Sequence, residues 1–143
     1  MTTEPKLEAA VAARARKASL VDSGICVLVA MLAWPFPIAR AMLPPLVNVI
    51  SVLVWIFVVE VAYGTLVMAR WGRGAGWYLF DLAAEGGRTP FSAGLRWGFG
   101  WALASPTAVF SASVVDPRTG LAARMSGIVG SDAGVAPLDR AEG

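Results

Sequence analysis

Apolar runs bounded by basic residues, glycine and proline set the pattern of this chain. The first covers about residues 18–36 and follows Arg14, Arg16 and Lys17; Pro35 and Pro37 end it. The second covers about 46–69, opening after Pro44-Pro45 and closing at Arg70, Trp71 and Arg73. Proline lacks the N–H that a helix interior needs but suits its first turn, so this spacing predicts a helix stop, a short connection holding Arg40, and a helix start. At 1.5 Å per residue the second run reaches about 36 Å, enough to cross a hydrocarbon core of about 30 Å with some tilt. The third run, about 93–115, differs: Arg96 lies near its start and Pro106 in its middle. Gly94 and Gly98 form a small-xxx-small pair for close helix contact. Pro106 is expected to kink the helix or break it into two limbs.

Basic residues give the pattern a direction. Lys6, Arg14, Arg16 and Lys17 precede the first run, whereas the first connection carries Arg40 alone. Arg70, Arg73 and Arg88 lie in the second connection, and Arg118, Arg124 and Arg140 follow the third run. The positive-inside rule puts the N-terminus and the second connection in the cytoplasm. A straight third helix would leave Arg118 and Arg124 outside, so a segment that turns back near Pro106 is preferred, with its broken backbone covered by protein. The expected fold class is therefore all-α membrane. It has two transmembrane helices plus a broken or re-entrant third apolar segment, with an interfacial loop between the second and third. Residues 1–13 form a cytoplasmic lead-in, frayed helix or disordered tail, 14–129 the membrane domain, and 130–143 a disordered tail.

Composition sharpens this reading. The 143 residues are 57% hydrophobic and 15% charged, too apolar for an average soluble domain. The mean hydropathy of +0.63 agrees. A cleaved signal peptide shares the basic-then-apolar grammar, and Ala39-Arg40-Ala41 has a cleavage-like spacing. The long first run, Asp22 within it and the later apolar runs argue for an uncleaved helix. Ser23-Gly24-Ile25 is a poor approach to a lipidated Cys26. A pI near 9.1 invites nucleic acid as a partner, but the basic residues flank apolar runs and form no stripe, so none is expected. The absence of His and the single Cys remove the usual general base and the common metal-ligand sets. No metal, cofactor or catalytic residue is expected.

Within the loop of residues 70–92, Gly72, Gly74 and Gly76 invite a phosphate-binding reading. They follow no strand and carry no Lys-Ser/Thr pair, so a flexible membrane-exit turn is favoured. Trp77-Tyr78-Leu79-Phe80 reads as an interfacial anchor, Glu85-Gly86-Gly87-Arg88 as a tight turn, and Trp34, Trp71 and Trp97 as further anchors. Trp55 is expected to face lipid or the core.

The ionisable residues inside the runs are Asp22, Glu60 and Arg96. A charge at a helix centre costs about 2.5–3.5 kcal/mol on insertion scales, so such groups turn inward and find partners. With Lys17 and Arg70 at one interface, Asp22 lies about 7 Å deep and Glu60 about 15 Å deep. Two readings follow. In one, the carboxylates form a cation or proton site. In the other, favoured, Asp22 or Glu60 pairs with Arg96 or Arg124 and fixes the packing. Asn48 and Cys26 read as packing residues.

The order of these features resembles the RDD family of small bacterial membrane proteins, named for one Arg and two Asp. Arg16, followed by Ala18-Ser19-Leu20-Val21-Asp22, looks like the family's Arg and first Asp; Arg14 fits the Arg role equally. Gly74-Ala75-Gly76, Glu85-Gly86-Gly87-Arg88 and Ser92 to Arg96 resemble its middle segment, and Asp116 to Val129, with Arg124, its closing one. Ala122-Ala123 stand where the family has His-Asp, so the second Asp is missing. The resemblance implies a helical membrane domain over about residues 14–129. Transport has been proposed for the family, and its segments also occur beside larger membrane systems, including actinobacterial lipid-import machinery. The Arg-rich composition fits a high-GC bacterial gene.

The sequence thus predicts a bacterial cytoplasmic-membrane protein with its N-terminus inside and the lipid bilayer as its solvent. Its expected role is a non-catalytic accessory or assembly subunit, with other membrane subunits or its own copies as partners. The alternative is a small oligomeric transporter or cation/proton antiporter using Asp22 and Glu60.

Overall fold

A computed structural model describes residues 4–33 and 42–132. The expectations placed on Trp34, Pro35, Pro37, Arg40 and the last residues of the tail lie outside these. The fold is mostly helical, and among the described residues one helix, Pro45–Trp71, is long and apolar enough to cross a membrane.

Helix α1 runs unbroken over Glu4–Leu32, so most of the expected lead-in is helix. Alanines at 9, 10, 12 and 13 favour that conformation intrinsically. Its buried face is a stripe of small or polar residues: Ala15, Ala18, Ser19, Asp22, Cys26 and Ala30. These recur every three or four positions, which places them on one side of the helix. Leu20, Leu28, Met31 and Leu32 point outward and stay exposed.

Helix α2, Pro45–Trp71, starts on Pro45 and ends at Gly72, whose φ of 71° is the left-handed conformation that glycine adopts without strain. Its buried positions gather in the second half, at Glu60, Gly64, Thr65, Val67 and Met68. Leu46, Val49, Ile50, Leu53 and Val54 in the first half are exposed.

The second connection is folded, where a loop was expected. It holds a short helix α3, Ala75–Leu79, and a strand β1, Leu82–Ala84. Helix α4, Phe91–Ala104, then packs along the second half of α2. The contact is backbone to backbone: a Cβ on Gly98 would lie 2.6 Å from the Val61 carbonyl oxygen, and one on Gly64 would lie 2.8 Å from the Gly98 Cα.

The helical geometry of α4 ends two residues before Pro106, in a 3-10 turn over Ser105–Thr107. A second 3-10 turn, Ala112–Val115, packs against α1. Asp116 Oδ1 then accepts from the backbone N–H groups of Arg118 and Thr119 at 2.8 and 3.0 Å, closing a reversal. Helix α5, Leu121–Ser126, lies back against α4. The last described element is strand β2, Gly130–Asp132, antiparallel to β1 with Ala83 opposite Ser131. Two expectations are corrected here. The fold is not purely α, because the small sheet ties the two loop regions together. Residues 130–132 belong to it and not to a disordered tail.

Candidate functional site

Asp22 sits on α1 with 3% of its surface exposed. Its Oδ1 accepts two hydrogen bonds, from Tyr63 Oη on α2 at 2.6 Å and from the Gly76 N–H at the start of α3 at 2.8 Å. Tyr63 Oη in turn accepts from the Ala75 N–H at 2.9 Å. The first N–H groups of a helix lack partners within it and carry partial positive charge, so an anion belongs there. Asp22 and Tyr63 therefore act together as a remote cap on α3. The glycines make the approach possible: a Cβ on Gly74 would stand 2.7 Å from Asp22 Oδ2, and one on Gly76 would run into the Ala18 carbonyl oxygen. The turn read as a flexible exit is thus a fitted cradle. It holds a hydrogen-bond acceptor, and the acceptor is the protein's own carboxyl group.

Glu60 forms a second, separate node on α2, with 5% of its surface exposed. Ser105 Oγ stands 3.0 Å from both of its carboxylate oxygens and 3.3 Å from the Ala102 carbonyl oxygen. One hydroxyl proton serves these acceptors, and the shorter contacts favour the carboxylate. Ser105 directly precedes Pro106, so Glu60 holds the point where the third segment breaks. Ser23 Oγ on α1 is close to Glu60 but outside hydrogen-bonding geometry.

The expected ion pairs do not form. Arg96 is exposed on the outer side of α4, and Arg124 is exposed in the last turn of α5. The geometric reason lies in α4, whose inward face is the glycine and tryptophan stripe Gly94, Trp97, Gly98 and Trp101. Position 96 lies off that face. Arg16 likewise meets no carboxylate here: its Nη2 donates to the Val109 carbonyl oxygen at 2.6 Å, bracing the far side of the reversal.

Beside the Asp22 node lies an aromatic layer. Trp97 and Trp101 stack at 5.9 Å, Trp77 meets Trp97 edge-on at 5.6 Å, and Tyr63 lies 6.1 Å from Trp101. Trp101 Nε1 donates to Ser19 Oγ at 3.0 Å. Trp77 and Trp97 are buried, not interfacial anchors, whereas Trp71 is exposed. Trp55 donates from Nε1 to the Ala30 carbonyl oxygen at 3.1 Å, joining α2 to α1.

Tyr63 was missed by sequence reasoning although it completes the Asp22 node. Its signal was present: a tyrosine hydroxyl in an apolar helix needs a partner, and Tyr63 lies three positions from Glu60 on the same face. Ser105 carried a weaker signal, a hydroxyl beside the helix-breaking Pro106.

No protein-family model, curated protein or solved structure matches this chain.

Proposed function

We propose that this chain is a bacterial cytoplasmic-membrane protein of RDD type, acting as a non-catalytic accessory or assembly subunit of a larger membrane system, such as a transport system. In this reading α1 and α2 cross the bilayer with the N-terminus inside. The third segment enters from the cytoplasmic face as α4, turns at Ser105-Pro106 and returns. The Asp22 cradle carries the reading. Both acceptor contacts of its Oδ1 go to donors within the chain, one of them a backbone N–H at the start of α3. A carboxylate engaged in this way stabilises a fold more readily than it exchanges an ion. Gentle solubilisation of native membranes followed by affinity purification tests the proposal. A partner membrane subunit recovered in fixed stoichiometry is expected, and a chain that always emerges alone contradicts it.

One observation favours the alternative, a small oligomeric transporter or cation/proton antiporter. Glu60 is buried and shares one hydroxyl between its two oxygens, so its acceptor capacity is only partly used. Reconstituted vesicles separate the two readings. Ion-dependent flux that disappears in the Asp22→Asn, Glu60→Gln double variant supports transport; no flux from the parent protein removes it.

A further inference from the structure

The glycines that bring α2 and α4 into backbone contact leave the larger side chains of both helices standing apart beside it. Between those side chains runs an open cavity of about 460 Å³, walled by Phe57, Ala62 and Leu66 of α2 and by Phe91, Leu95 and Phe99 of α4. Its volume falls within the range of about 300–1,000 Å³ typical of small-molecule sites. Thr65 also lines it, but its hydroxyl donates to the Val61 carbonyl oxygen at 2.7 Å, which leaves the walls apolar.

The two ends of this groove differ. Phe57 and Phe99 meet edge to face at 5.5 Å and bridge the helices at one end. At the other, the groove is lined by Phe91, the first residue of α4, and Leu66. Val58, Ala62, Leu66 and Arg70 follow one another at four-residue spacing, so Arg70 continues the groove wall one turn beyond its mouth. Arg70 is exposed and makes no ion pair among the described residues.

The shape selects among occupants. A transmembrane helix needs small residues at its contact to approach closely. Here Gly64, Gly94 and Gly98 are already enclosed between α2 and α4, and the rim is phenylalanine and leucine. A hydrocarbon chain needs no small contact residues and can lie against such walls. An apolar slot with a guanidinium at its mouth complements an amphiphile with an anionic head.

We propose that the α2–α4 groove holds one acyl chain of an anionic phospholipid whose phosphate pairs with Arg70. This rests on the reading of α2 as a bilayer span with Arg70 at its cytoplasmic interface.

Native mass spectrometry of the full chain, purified in detergent containing equal amounts of phosphatidylglycerol and phosphatidylcholine, tests it. One phosphatidylglycerol per chain is expected to survive activation that strips phosphatidylcholine. Arg70→Gln should lower that preference about fivefold, the effect of one basic side chain at an anionic surface, and Arg70→Lys should preserve most of it. Ala62→Phe, which fills the groove, should lower retention of either lipid by at least about tenfold, because several buried methylenes are displaced. Circular dichroism checks that this variant folds, and Val58→Phe replaces it if it does not. Retention unaffected by groove filling, or no preference between the lipids, overturns the proposal. So does a dimer that Ala62→Phe dissociates, since a second copy then fills the groove. Alkaline carbonate extraction separates the two levels: a chain released from membranes removes the spanning reading and the lipid site together. A chain that stays in the membrane and retains no lipid overturns the lipid site alone.

Discussion

At the scale of single residues, the informative pair is Asp22 and Tyr63. Each receives a backbone N–H from the start of α3, and they share a 2.6 Å hydrogen bond. Removing one leaves buried polar groups without partners, which costs about 1–3 kcal/mol for each group affected. Asp22→Ala is therefore expected to destabilise the protein by about 2–4 kcal/mol, because it strands both Tyr63 Oη and the Gly76 N–H. Tyr63→Phe should cost less, about 1–2 kcal/mol. Because the residues form one network, the double variant should lose less than the sum by about 0.5 kcal/mol or more. Reversible unfolding in mixed micelles measures all three, and strict additivity would show that the residues do not act together. A transport role for Asp22 makes no such demand on stability. Asp22 as an inward-facing residue was legible in the sequence, since an acid in an apolar run must find company. Its partner was not. The donors are one backbone N–H group and a tyrosine hydroxyl, and nothing in the spacing of charged residues points to them.

At the scale of elements, glycine decides how the helices meet. Gly94 and Gly98 were readable as a close-packing pair, and the contact forms on α2 at Val61, Gly64 and Thr65. Gly98→Ile should force α2 and α4 apart at a cost of about 1–3 kcal/mol or more, as overpacking does. The helix signal in circular dichroism should persist while the environment of Trp97 and Trp101 changes, which their fluorescence reports. Gly24 is the internal control. Open space surrounds the position of its Cβ, so Gly24→Ala should leave stability unchanged or raise it by up to about 1 kcal/mol. Equal damage from both variants would mean that the α2–α4 contact is not close. The break at Pro106 was also legible, because proline inside a helical pattern has few alternatives. The folded connection between α2 and α4 was not. A five-residue helix and a three-residue strand are too short to leave a period in the sequence, and they exist because α1 and β2 hold them. The buried tryptophans follow from the same fact. Trp77 and Trp97 read as surface anchors only while the loop between the helices is taken to lie open.

At the scale of the whole molecule, the returning third segment organises everything else. Glu60 and Ser105 fix its turn, Arg16 braces the Val109 carbonyl, α5 lies against α4, and β2 pairs with β1 on the side where α4 began. In the proposed membrane reading this course keeps Arg118 and Arg124 on the side of the N-terminus, which is the side the positive-inside rule assigns them. With the segment folded back, Asp22 is enclosed by the loop that covers it. A straight segment would take β2 away from β1 and open the Asp22 cradle. Cysteine labelling on whole cells tests the path directly. In a Cys26→Ser background, single cysteines replace the exposed residues Ala13, Met42 and Thr119. A membrane-impermeant maleimide should modify Met42→Cys in intact cells, and Ala13→Cys and Thr119→Cys only after permeabilisation. Labelling of Thr119→Cys in intact cells, with Ala13→Cys still protected, would mean that the third segment crosses the membrane and would contradict the folded-back course.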